Sequence, residues 1–149
     1  MKLSANFSLD EFLVSEAAAR HDISMKPPDW IVANLKRLCE TVLQPLREDL
    51  DSPIVITSGW RPKALNTLIG GSETSQHIRG EAADIRCIGY SPEDIVVHAE
   101  VLDLPIHQMI YEFGWVHLSI APKDKTPARQ LLTAYRENGE TVYRAGLHA

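Results

Sequence analysis

The sequence predicts an α+β fold in which N-terminal helices pack on a largely antiparallel sheet. Three observations carry this. Ile31, Leu35, Leu38, Val42 and Leu46 recur at helical spacing behind Pro27-Pro28. Short β-branched or alternating runs crowd the chain from Ile54 onward. Two dipeptides, Phe113-Gly114 and Asn138-Gly139, separate such runs where tight hairpins form.

The elements follow in order. Ser8-Leu9-Asp10-Glu11 has the pattern of a capping box and predicts a short helix to about Ala19. A second helix starts after Pro27-Pro28, because proline suits a first helical turn. Ile54-Val55-Ile56-Thr57 reads as a strand, and Ala82 to Cys87 as another. Ser91-Pro92-Glu93-Asp94 caps a later helix that ends near Leu102. Gln108 to Glu112 pairs with Trp115 to Ile120 across Phe113-Gly114, and Leu131 to Arg136 with Glu140 to Arg144 across Asn138-Gly139.

Register follows from the turn. A two-residue turn at Phe113-Gly114 sets Glu112 opposite Trp115 and Ile110 opposite His117. Alternation then sends Val116, Leu118 and Ile120 into the core and turns His117 to the other face. Cross-strand partners share a face, so Glu112 and His117 lie on the same side.

Composition bounds the function. The chain has 149 residues, 44% apolar and 23% charged, which suits one domain spanning residues 1–149. A net charge of −5 without clustered Lys and Arg argues against nucleic acid as a partner. No apolar run approaches the roughly 18 residues of a membrane span. A monomer is expected. Met1 to Asp10 lacks the basic and apolar regions of a signal peptide, so a cytoplasmic location at synthesis is expected. Cys39 and Cys87 stand apart without a CxxC and read as buried, reduced thiols.

The chemistry concentrates in two segments, Ser75-Gln76-His77-Ile78-Arg79-Gly80-Glu81-Ala82-Ala83-Asp84 and Trp115-Val116-His117. His77, Asp84 and His117 offer two imidazoles and a carboxylate. A catalytic zinc site uses such a set and keeps its fourth position open. Gly80 permits a turn that folds His77 back towards Asp84. Asp84 stands between Ala83 and Ile85, where a carboxylate is costly to bury without a cation or hydrogen bonds. Spacing alone leaves two readings open: a metal site, or structural histidines with Asp84 paired to Arg61 or Arg86. His21, His98, His107 and His148 lack a comparable context and read as surface or structural.

The surrounding residues resemble a known family. Ser75-x-His77-x-x-Gly80-x-Ala82-x-Asp84 followed by Trp115-x-His117 is similar to the signature of the zinc D-Ala-D-Ala carboxypeptidases. That family includes the L-alanyl-D-glutamate endopeptidases of phage lysis systems. The resemblance extends through Ile56-Thr57-Ser58-Gly59-Trp60-Arg61, Leu65-Asn66, Gly70-Gly71-Ser72 and Gln108 to Glu112. It implies a hedgehog-type peptidase fold, zinc held by His77, Asp84 and His117, and peptidoglycan stem peptides as substrate. It further implies that Arg61 engages a substrate carboxylate or carbonyl oxygen and that Glu112 is the acid/base residue. Many relatives place an acid three residues before the last histidine; here that position is Gly114. Trp60 stands where Tyr is common. Ser75, Gln76 and Trp115 are further candidates for substrate contact, or they shape the loop and pack. Should Glu112 not serve, Glu73 and Glu81 come next.

Zinc acidifies water and polarises a carbonyl, and a carboxylate that relays the proton contributes roughly 10²–10⁴ in rate. Carboxypeptidase and endopeptidase share these motifs. The other class of reading is a wall-peptide-binding module of the same fold that does not cut. Without a signal peptide, action on the cell wall requires release, as in a phage or prophage lysis setting.

Overall fold

The computed structural model describes residues 1–148. A small hairpin opens the chain, β1 (Lys2–Ser4) with β2 (Phe7–Ser8). Ser8 then forms the expected capping box, its backbone N–H donating to Glu11 at 2.7 Å. The box opens only a 3₁₀ turn, Leu9–Phe12, and not a helix running to Ala19. The Phe12 carbonyl, which would have continued the helix, accepts instead from the Trp60 N–H at 2.9 Å. A fresh helix, α1 (Glu16–Arg20), starts beneath Ser15, whose hydroxyl accepts from Ala18 N–H.

The long apolar stripe behaves as expected, with one irregularity. Helix α2 (Asp29–Leu38) follows Pro28 and passes through a π turn, Cys39–Leu43, into α3 (Gln44–Leu50). Pro45 has no N–H, and its ring crowds the carbonyl one turn back. The helix widens there, and Gln44 N–H bonds to Cys39 five residues earlier. Leu35, Leu38, Val42 and Leu46 are fully buried, each contributing about 1.5–3 kcal/mol of burial.

Six strands make the main sheet: β3 (Ile54–Ser58), β4 (Ala82–Cys87), β5 (Gln108–Tyr111), β6 (Val116–Ser119), β7 (Gln130–Glu137) and β8 (Glu140–Ala145). Helix α4 (Lys63–Leu68) lies between β3 and β4, and α5 (Pro92–Val101) between β4 and β5. The spatial order is β3-β4-β6-β5-β7-β8. Every pair is antiparallel except β5–β7, so the expectation of an antiparallel sheet holds for all but that pair. The chain leaves β6 and crosses back before β7 begins, which brings β7 beside β5 in the same direction. Asn138 and Gly139 both take positive φ, 51° and 80°, the conformation of the hairpin turn expected there.

The two faces of this sheet differ in chemistry. Ile85, Val116, Leu118 and Met109 are buried in the core with α5 and the α2–α3 helix. The opposite face carries a row of paired residues from edge to edge: Ser58, Asp84, His117, Ile110, Leu132 and Ala145. Cys39 and Cys87 are buried free thiols, as expected, and burial pushes the Cys39 thiol up to about 12.

Candidate metal centre

Asp84 and His117 are direct cross-strand partners on β4 and β6, so the sheet register itself brings them together. His77 arrives from a separate 3₁₀ turn, Gln76–Arg79. Ser75 starts that turn, its hydroxyl accepting from His77 N–H at 3.3 Å. Gly80 ends it at φ +68°, where a Cβ would stand 3.0 Å from the Ile31 carbonyl oxygen. Only glycine meets both conditions at no cost, and the chain is thereby turned so that His77 faces Asp84.

The donor atoms then converge. His77 Nε2 lies 3.2 Å from Asp84 Oδ1, and His117 Nδ1 lies 3.0 Å from the same oxygen. One ligand atom from each of the three residues lies within 4.8 Å of the others. The remaining ring nitrogens are both occupied. His77 Nδ1 sits 2.8 Å from the Gly59 carbonyl oxygen, which can only accept, so this nitrogen carries the proton. His117 Nε2 donates to Gln76 Oε1 at 3.2 Å. With those protons placed, each neutral imidazole aims a lone pair at a carboxylate oxygen. Three electron-rich atoms facing one another fit a cation held between them, and the outer hydrogen bonds are those that orient metal-binding histidines. Burial alone would raise the Asp84 carboxyl. Where, with no ion between them, His117 and His77 instead turn N–H donors towards Asp84, those hydrogen bonds outweigh burial and hold the group well below the usual carboxylate range.

Gly59 is fixed from behind. A Cβ at this position would fall 2.5 Å from Phe12 Cα. The close approach of these two backbones sets the carbonyl that orients His77.

The three residues lie in an open cleft of about 620 Å³, which Arg61, Glu112 and Trp115 also line. Glu112 N–H bonds to the Trp115 carbonyl at 3.1 Å, closing the turn as the sequence predicts. The Trp115 indole N–H donates to Glu112 Oε2 at 2.9 Å, so Trp115 positions the carboxylate as well as walling the cleft. Burial, reinforced by the charge of Asp84, pushes the Glu112 carboxyl above its ordinary value, against the pull of His117, the indole and Arg61. Arg61 gives one hydrogen bond from Nη1 to Asn66 Oδ1 at 3.3 Å, and its buried Nε has no partner among the described residues. Burial lowers the Arg61 guanidinium, while the charges of Asp84 and Glu112 favour its protonated form. A half-buried guanidinium with unused donors is suited to an anionic or carbonyl oxygen.

Other expectations fare differently. Ser75 and Gln76 line the cleft, yet both already serve His77 and His117. Glu81 is buried and bound by Arg79 at 2.6 Å and Arg37 at 3.6 Å, which removes it as an alternative base. Glu73 is exposed and does not line the cleft. Trp60 is a core residue whose indole donates to the Ile78 carbonyl. Arg86 bonds to the Gly114 carbonyl at 2.8 Å rather than to Asp84. His98, His107 and His148 make hydrogen bonds to Asp49, Ala128 and Ala145 and do not line the cleft. Sequence reasoning missed the Gly59 carbonyl, and it missed Leu132 and Tyr143, which reach the cleft from β7 and β8. Strand alternation was the one signal that could have found the last two.

Comparison with known families returns a match to the model described as Peptidase M15 over residues 5–119. The matched stretch includes Arg61, His77, Asp84, Glu112 and His117 and ends before β7. A search of curated proteins finds no match to this chain.

Proposed function

The chain belongs to the peptidase M15 family of zinc metallopeptidases, and from that premise we propose that it hydrolyses peptide bonds in peptidoglycan stem peptides. The fold on this reading is the hedgehog/D-Ala-D-Ala peptidase type. One observation carries the proposal: His77 Nε2 and His117 Nδ1 converge on Asp84 Oδ1 with their other nitrogens satisfied, in a cleft shared with Glu112 and Arg61.

His77, Asp84 and His117 would hold the zinc. When bound, it supplies Lewis acidity towards a carbonyl and towards water. The protein's own groups do the rest. Glu112, held in position by the Trp115 indole, takes the proton of the attacking water and returns it to the leaving amine. Arg61 binds a carboxylate or carbonyl oxygen of the peptide and fixes its direction across the sheet. Arg61 follows the edge strand β3, so the anchored end of the substrate lies at that edge.

The test is mass spectrometry of defined stem peptides incubated with zinc-loaded protein, with and without a chelator. Cleavage of one bond, lost on chelation and restored by zinc, is the expected result. The position of that bond assigns carboxypeptidase or endopeptidase action. Peptide retained without fragments would replace the enzyme reading by that of a binding module. No cleavage and no retention would reject both.

A further inference from the structure

The β7–β8 hairpin lies beyond the residues matched to the family, yet it borders the cleft. Leu132 pairs with Ile110, which pairs with His117, so Leu132 extends the row that holds the centre. Two residues along the strands, on the same face, Ala134 pairs with Tyr143. Both Leu132 and Tyr143 line the cleft, and Tyr143 lies close enough to Glu112 to feel its charge. The Tyr143 hydroxyl makes no hydrogen bond to any described residue, and the side chain is 51% exposed. The hairpin is not a loose flap. Phe113, in the turn beside Glu112, packs its ring against Tyr111 and Tyr135 at 4.6 and 6.1 Å, and Tyr135 belongs to β7.

The cleft therefore has unlike ends. Arg61 and the Ser72–Gln76 loop make a polar, cationic end by β3, while Ile110, Leu132 and Tyr143 make an apolar, aromatic end by β8. From His117 on β6 to Tyr143 on β8 the sheet crosses three strand spacings, about 14 Å, the reach of about four extended residues. A terminal dipeptide anchored at Arg61 would leave this end unused.

Resting on the peptidase reading, we infer that Leu132 and Tyr143 form a specificity subsite for a peptide that continues beyond the scissile bond, on the side away from Arg61. The substrate class is thus an extended oligopeptide with apolar or aliphatic groups on that side. Tyr143 supplies a rigid face at small entropic cost, and Leu132 supplies the floor.

A length series tests this. Stem pentapeptide, L-Ala-γ-D-Glu-L-Lys-D-Ala-D-Ala, and its truncations from each end are bound calorimetrically to zinc-loaded Glu112→Gln protein, and their KM and kcat are measured with wild type. Lengthening on one side should tighten binding, and Tyr143→Ala should remove about tenfold of that gain. The loss should appear in KM more than in kcat, as expected for binding used equally in ground and transition states. Tyr143→Phe should restore it, and Leu132→Ala should mimic it with zinc content unchanged. Binding and cleavage of the series with no length dependence, or an equal loss for short and long peptides in Tyr143→Ala, would overturn the subsite and leave the peptidase reading standing. Neither binding nor cleavage of any member by wild type would overturn both.

Discussion

Gln76 Oε1 accepts from His117 Nε2 at 3.2 Å, on the far side of the ring from Asp84. This bond decides which nitrogen of His117 carries the proton. It leaves Nδ1 free to face the centre. Gln76→Ala should therefore weaken zinc binding by about 10–100-fold, the usual cost of losing a group that orients a metal-binding histidine. The fold should persist, because Gln76 sits in a surface turn. Competition with a chelator of known affinity measures the effect, and unchanged affinity would show that His117 is oriented by the sheet alone.

Gly59 makes a second claim on the same centre. A methyl group there meets the Phe12 backbone at 2.5 Å, so one of the two strands of chain must shift. Gly59→Ala should destabilise the protein by about 1–3 kcal/mol, the usual range for forced overpacking. It should also move the carbonyl that accepts from His77 Nδ1 and so reduce zinc affinity. Thermal unfolding with and without zinc separates the two effects. A variant with native stability and native affinity would remove Gly59 from the account.

How far the sequence reaches can be judged from these residues. The two-residue turn set Glu112 and His117 on one face, and the observed pairing of Ile110 with His117 follows from it, while Asp84 and His117 were legible as candidate ligands from residue type and motif. Their nearness across β4 and β6 was not, because strand order is a long-range outcome of packing. The 3₁₀ turn at Leu9–Phe12 was misjudged for a related reason: the local capping signal is real, but the Phe12 carbonyl goes to Trp60, far along the chain. Gln76 was singled out by its motif, yet its bond to His117 depends on the loop folding back over β6. Tyr143 carried no motif, and only the crossover that sets β7 beside β5 brings its hairpin to the cleft.

Arg61 should matter through its geometry as much as its charge. Its guanidinium is held by Asn66 and still has donors unused. Arg61→Lys keeps the charge and loses the planar fork. We expect zinc content to be unchanged and kcat/KM to fall by roughly 10- to 150-fold, the worth of about 1.5–3 kcal/mol for a hydrogen bond to a charged group. Native kcat/KM in this variant would limit Arg61 to a structural part.

Glu112 is where geometry and electrostatics make separable predictions. It lines the cleft beside His117, and the Trp115 indole holds one of its oxygens. Glu112→Gln preserves size and can still hydrogen-bond, but it cannot take a proton from water. Zinc content should survive while turnover falls by roughly 10²-fold or more. The same substitution has a consequence for stability that needs no catalysis. Burial and the Asp84 charge raise the folded-state pKa of Glu112 above its ordinary 4.5. Between those two values the folded chain binds more protons than the unfolded chain, so the stabilising contribution of the protonated carboxyl is lost as pH rises. Glutamine is neutral throughout and lacks this slope. In chelator, the melting temperature of Glu112→Gln should therefore gain on wild type as pH is raised from 4 towards 7, with the gap levelling once Glu112 is fully ionised. A gap that is constant across this range would mean that the carboxyl is no more costly to ionise in the fold than in water. Retained turnover in the same variant would place the base elsewhere, and neither Glu73 nor Glu81 lines the cleft to replace it.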